Sequence, residues 1–419
     1  MQPWERRLND LWLLLEGCHA TYMTPELFRL NTNQFLQTSR TVTFIIQKNK
    51  DSIPSFDRWY QPIVARWASD EVMGWAKDAR NKIEKEGDLE LHSSLALTLF
   101  FSYLVEHDIR VATGRDELLR AGTTKLVRFA QQHLPPNTTS SSAIKIERRW
   151  VANSLPGWEL LQALSYVYTT LYRACQELGS HLGTKIDPAI PDPTSLYPAR
   201  ESARQVRYLK LSDLNFHYQH THRINADPDY RPPVAVATAN LREKFVAANS
   251  IEKVFRVLSE MAELMFEHDG YHIPMVYLFD QSMNVVDFTT ATFADQVDKF
   301  IFWRNVTDRV VATKATGVVS IGEAWIRDSK QHHSQPLKKL PIIGERLYVT
   351  VLGSTSWYRC ASWEIVRTNE ESKPSLKRLS TDDGLREKIP YYFAPILRAW
   401  GVPYPEDFRE KPSQKPHQE

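Results

Sequence analysis

Cysteine is scarce in this chain: Cys18, Cys175 and Cys360 are three in 419 residues, odd in number and far apart. No C-x-x-C spacing occurs, so a disulfide framework and a zinc ribbon are both excluded, and a reducing compartment is expected. Long hydrophobic runs are missing as well. No segment approaches the roughly 20 apolar residues that span a bilayer. The opening stretch, MQPWERRLNDLWLLLEG, carries charge ahead of an apolar run, but Asp10 and Glu16 bracket only five residues. A secretory signal needs a longer apolar region and a small-residue cleavage site, so a cytoplasmic protein away from the membrane is expected. An excess of one charge is lacking too: 52 Lys and Arg against 50 Asp and Glu leave a formal net charge of +2. There is no global pull toward nucleic acid or an anionic membrane, although a local basic groove stays open. The phosphate-binding G-x-x-x-x-G-K-[ST], a G-x-G-x-x-G after a strand, G-x-S-x-G and H-E-x-x-H are all absent. Nucleotide hydrolysis, dinucleotide redox chemistry, serine hydrolysis and zinc proteolysis therefore lose their usual machinery, and no cofactor is expected.

What is present suits a folded protein of two or more domains: 42% hydrophobic and 24% charged residues, with 12 Trp and 18 Phe as bulky core material. Leu8, Leu11, Trp12 and Leu15 fall at helical spacing. Thr24-Pro25-Glu26 restarts a helix, because Thr caps well and Pro suits the first turn. A further helix follows Ser69 and Asp70, with Val72, Trp75, Ala76, Ala79 and Ile83 as its buried stripe and Gly87 beyond its end. Leu95 to Leu104 reads as a helix or a buried strand. Leu118 to His133 reads as a helix, and Leu160 to Leu178 is the clearest amphipathic helix of all. Residues 1–186 are thus expected to form an all-α bundle.

Two Pro-rich stretches, DPAIPDPTSLYP (187–198) and ADPDYRPP (226–233), make 187–240 a connector, with a short hairpin within Val206 to Ile224. Beyond it the pattern changes. A helix over Ser250 to Glu267, a hairpin of Met275 to Asp280 with Val285 to Phe288, a helix over Ala294 to Thr313 and three strands (Val318 to Arg327, Arg346 to Leu352, Trp357 to Arg367) describe an α+β domain over 241–405 on a mainly antiparallel sheet. Ile389 to Trp400 is a closing helix, and 406–419 is a polar tail.

The stretch DARNKIEKEGDLEL (78–91) carries Arg80 and Asn81 near a helix end. Arg80 has Glu84 four residues on, which is the spacing of an ordinary ion pair on a solvated face. An all-α bundle with an Arg-Asn pair also resembles the HEPN superfamily of RNA-associated domains, over roughly the first 185 residues. TFIIQKNKDSIPSFDRWY followed by DARNKIEKEGDLE is similar, besides, to bacterial proteins of the same helical layout. The resemblance implies RNA as partner and a homodimer in which Arg and His of two protomers cut RNA without metal. Acid–base catalysis would act on the 2′-hydroxyl and leaving oxygen, with Arg stabilising the phosphorane charge. Here the His position holds Lys85. A lysine near its ordinary pKa of about 10.4 is protonated and cannot act as base, but it can bind phosphate.

Other constellations are weaker. His217, His220 and His222 concentrate three of 13 histidines, and on a strand His220 and His222 face one side, with Asp213, Asp227 and Asp229 nearby. The flanking loops supply no preorganisation, so an exposed polar hairpin is the plainer reading and no metal is expected. His332-His333 sits in a polar loop. Glu323 in IGEAW shares a strand face with Val319, Ile321 and Trp325. A carboxylate turned inward there needs a partner such as Arg346 or Arg359. Three functions follow: a non-catalytic or conditionally active RNA-associated or protein-interaction protein with a degenerate HEPN-like site; a metal-independent ribonuclease using Arg80; and a ligand-sensing module in the α+β domain around Glu323 and Trp325.

Overall fold

Proline at a first helical turn fixes φ where an N–H has no helical partner anyway, and the chain opens on two such helices, α1 (Pro3–Thr21) and α2 (Pro25–Lys48). The computed structural model describes residues 1–134, 138–193, 205–212, 216–217, 239–328, 340–367, 373–379 and 389–404. They divide into two compact units, one of residues 1–99, 109–140 and 144–217, the other of 100–108, 141–143 and 218–419. Among the described residues no helix is long and apolar enough to cross a membrane. The molecule is multidomain, with N-terminal helices followed by an α+β region on antiparallel strands, as its patterning implies.

In the first unit α1 buries Leu8, Leu11, Leu15 and Cys18 and packs against α2. After α3 (Phe56–Ala68), Asp70 caps α4 (Glu71–Lys85) by accepting from the Met73 N–H at 2.9 Å. Val72, Trp75, Ala76 and Ala79 form the buried stripe of α4, and the Trp75 indole donates to Ser154 at 3.1 Å. Beyond residue 90 the unit is mixed rather than helical. β1 (Leu91–Phe100), β2 (Ile109–Val111), β3 (Ala143–Ala152), β4 (Gln205–Lys210) and β5 (Phe216–His217) form a sheet in the order β2-β1-β3-β4-β5. β1 resolves the open reading of 95–104 as a strand, because Leu95, Leu97 and Leu99 alternate inward at period two. β3 went unanticipated: Ile144, Ile146 and Trp150 alternate inward, but Arg148 occupies the inner position between them. The helical reading of 118–133 splits into α5 (Asp116–Leu119) and α6 (Thr123–Gln131), with Gly122 at the α6 N-cap. α7 (Leu160–His181) spans the expected amphipathic stretch, and Glu159 caps it.

The second unit follows the expected strand and helix order closely. α8 (Ala239–Val246) precedes α9 (Ile251–Asp269), which Ser250 caps and Gly270 ends at φ +79°. β6 (Met275–Phe279) and β7 (Val285–Thr290) are the hairpin, and α10 (Gln296–Thr313) is opened by Asp295 in a reciprocal capping box. β8 (Gly317–Arg327), β9 (Ile342–Gly353), β10 (Tyr358–Val366) and β11 (Ser375–Arg378) complete an antiparallel sheet of order β11-β10-β9-β8-β6-β7. One face, with Val319, Ile321, Val349, Val351 and Trp363, is covered by α9. The other, with Val276, Val318, Leu352 and Tyr358, packs against Trp303, Val306 and Val310 of α10 and against Phe393, Ile396 and Leu397. The closing helix is shorter than expected: α11 (Ala394–Ala399) follows a 3-10 turn at Tyr391–Phe393. Pro395 has no N–H to bond back into a preceding turn, which disfavours a helix running through from Ile389 and suits the first turn of α11, where it sits.

Candidate ligand-binding cavity in the second unit

Strand alternation sends every second residue of β8, β9 and β10 to the α10 face of the sheet. On that face the register builds cross-strand rows. Ser320, Thr350 and Cys360 form one row, Gly322, Tyr348 and Ser362 the next, and Ala324, Arg346 and Glu364 the third. Five of these nine residues are Ser, Gly, Ala or Cys, too small to fill the space above the sheet. Gly322 has only Pro274 within reach of the side chain it lacks, at 3.6 Å. The result is a cavity of about 540 Å³, floored by these rows apart from Glu364, within the roughly 300–1,000 Å³ typical of small-molecule sites.

Aromatic rings wall it. Trp303 of α10 stacks on Tyr392 with centroids 4.4 Å apart and planes 20° from parallel, and Phe302 stands edge-on to Phe293 at 5.3 Å. The Tyr392 hydroxyl lies 3.1 Å from that of Thr350, and burial pushes the Tyr392 phenol well above its ordinary range. Such a phenol holds its proton and serves as a hydrogen-bond donor.

Two cations belong to the lining. Arg346 donates to the Tyr348 hydroxyl at 3.4 Å, and the Lys299 ammonium lies 5.8 Å from the centre of the Phe293 ring. Neither has a carboxylate ion-pair partner among the described residues. Lys299 is exposed at the rim, yet its pKa is lowered, first by burial of the ammonium and then by the charge of Arg327. A second cavity, of about 440 Å³, lies on the opposite sheet face beside α9. There Arg256, Arg359 and Arg378 meet Glu252, Glu260 and Glu263, so its charges balance.

The residues singled out from sequence are dispersed. Glu323 and Trp325 alternate onto the α9 side of β8, and only Glu323 reaches the cavity rim. The expected ion pair of Glu323 with Arg346 or Arg359 is not formed: its Oε1 accepts from the backbone N–H of His272 instead. The register explains this, since Arg346 lies opposite Ala324 and so projects from the other face. Burial raises the Glu323 pKa, while the His272 N–H and Arg367 oppose the shift. Trp325 is 64% exposed, with the Arg327 guanidinium 5.9 Å from its ring centre. In the first unit Arg80 pairs with Glu84 at 2.8 Å and donates to Asn81 Oδ1 at 2.9 Å, while Lys85 is the exposed last residue of α4. His92 lies 2.7 Å from Asn153. His217 is in β5; His220, His222, His332, His333, Asp213, Asp227 and Asp229 lie outside the described residues. Among the described residues no three His, Cys, Asp or Glu side chains gather in a way that could hold a metal ion.

Lys299, Trp303, Tyr348 and Tyr392 were not singled out from sequence. The available signal was the even-numbered face of β8, where Ser320, Gly322 and Ala324 alternate with bulky neighbours.

Comparison with known proteins gives a consistent picture. A family model described as bacteriophage lambda protein ea47 matches residues 1–195 and 220–413. Protein ea47 of Escherichia phage lambda is 43% identical over 401 residues, covering 96% of this chain and 97% of that relative. No solved structure matches the chain.

Proposed function

The chain belongs to the bacteriophage lambda protein ea47 family, and from that premise we propose that it is a non-catalytic binding protein whose second unit takes a small molecule in the cavity above β8, β9 and β10. The observation that carries this reading is the composition of the cavity. Small residues hold the floor open, aromatic rings form the wall, and a few polar groups converge on the space, which is the pattern of a ligand pocket. The ribonuclease reading draws less support, because the guanidinium of Arg80 is already engaged by Glu84 and Asn81 on its own helix.

A thermal-shift screen of the full chain against a collection of small polar aromatics tests the proposal. A compound that binds only the folded state stabilises by about 2.7 kcal/mol at a hundredfold excess over its Kd. Ser362→Phe, which places a ring in the floor, should abolish that stabilisation without changing the melting of the free protein by much. Stabilisation of equal size in the variant, or none in either protein, would sink the reading.

A further inference from the structure

The lining of the cavity restricts what it can hold. The row Gly322–Tyr348–Ser362 leaves a flat strip, one tyrosine between a residue without a side chain and one with a single hydroxyl. Trp303, backed by Tyr392, stands over the same space. A planar ring can bury both its faces between such surfaces, and offset stacking adds to that burial. An aromatic lining by itself would also suit an organic cation. Against a cation stand Lys299 and Arg346, which have no carboxylate ion-pair partner among the described residues. Of the carboxylates nearby, Glu323 at the rim is already bonded to the His272 N–H, and Glu364, opposite Arg346 in the register, is exposed and outside the lining. A ligand without charge would remove water from the partly buried Arg346 guanidinium and return no opposite charge, which is costly. A ligand with its own negative charge makes charge-assisted hydrogen bonds there.

Resting on the small-molecule reading of this cavity, we infer that its ligand is a planar aromatic acid, with the ring over the Gly322–Tyr348–Ser362 row and the anionic group held by Lys299 and Arg346. The ring class follows from the floor and wall, and the sign of charge from the two cations.

The test uses a matched pair of probes, naphthoate and naphthamide, titrated into the full chain by calorimetry. The two share ring and shape and differ in charge. The wild type should bind naphthoate about tenfold or more tightly than naphthamide, the size of one charge-assisted hydrogen bond. Lys299→Met and Arg346→Met should each erase most of that preference by weakening naphthoate more than naphthamide, and Lys299→Arg should retain it. Circular dichroism melts identify any variant that fails to fold, and for such a position Lys299→Gln or Arg346→Gln replaces it. Equal affinity for the two probes, or a preference that survives both substitutions, overturns the acid assignment and leaves the cavity reading standing. Absence of binding by both probes, together with no stabilisation of the chain by any compound of the thermal-shift screen, overturns both.

Discussion

Arg148 occupies an inner position of β3 with no exposed surface, and Nη2 donates to the Ala121 carbonyl at 2.7 Å. Its Nε and Nη1 have no hydrogen-bond partner among the described residues, the guanidinium lies 5.3 Å from the centre of the Trp150 ring, and burial lowers its pKa to about 10. A buried cation without an anion is held at a cost, and an apolar residue of similar length often does as well or better. Arg148→Met is therefore expected to leave stability unchanged or raise it by up to about 4 kcal/mol, measured by urea denaturation. A loss above about 2 kcal/mol would show that Arg148 is bonded in a way its neighbours do not reveal. Trp75 is the opposite case, an indole 6% exposed whose N–H reaches Ser154. Trp75→Ala should cost about 3–5 kcal/mol, as loss of a buried aromatic does. Arg80→Ala on the same helix removes a half-exposed ion pair and should cost no more than about 1 kcal/mol. Equal losses at the two positions would mean that α4 is not packed through its Trp75 face.

At the scale of elements, what could be read from the sequence depended on how cleanly each strand alternated. β8, β9 and β10 were readable because each carries a stretch, such as Val319 to Glu323, Leu347 to Val351 and Arg359 to Ile365, in which inward apolar residues recur at period two. β3 was hidden because Arg148 interrupts its apolar face with a charge that normally marks a solvent side. The candidate site was missed for a related reason. Glu323 and Trp325 are the conspicuous residues of β8, whereas the cavity is built on the inconspicuous Ser320, Gly322 and Ala324 of the other face. Small residues carry little signal until the register shows what stands beside them. Within the second unit, the segment 100–108 is tied to α10 by Arg304, which grips Asp108 through two bonds of 2.7 and 2.8 Å, both side chains about nine-tenths buried. Burial outweighs those bonds and raises the Asp108 pKa from 3.8 to about 6. A carboxyl raised on folding stabilises most below its unfolded value, and that contribution is lost as pH rises through the folded value. Stability should thus fall between about pH 4 and about pH 6, by no more than about 3 kcal/mol from this group. Asp108→Asn should flatten the slope in that window. A slope unchanged by the substitution would assign the pH dependence elsewhere.

Across the whole molecule, similarity to protein ea47 of phage lambda extends through both units, since the matched regions reach from residue 1 to residue 413. Chain length, local periodicity and turn residues were enough to expect a multidomain chain with helices first and an antiparallel α+β region after. A ligand-sensing module in the α+β domain could be named from Glu323 and Trp325, but the lining of the cavity arises where rows from three strands meet a helix, a relation that no single stretch contains. The central claim is that this cavity is occupied by a small molecule when the protein works. The structure of the chain bound to the most stabilising compound of the thermal screen tests it most directly. The account predicts the compound over the Gly322–Tyr348–Ser362 row, against Trp303 and within hydrogen-bond reach of Lys299 or Arg346. A compound found elsewhere, for example beside Arg80 or in the charge-balanced groove along α9, with the cavity above β8 empty, would contradict it.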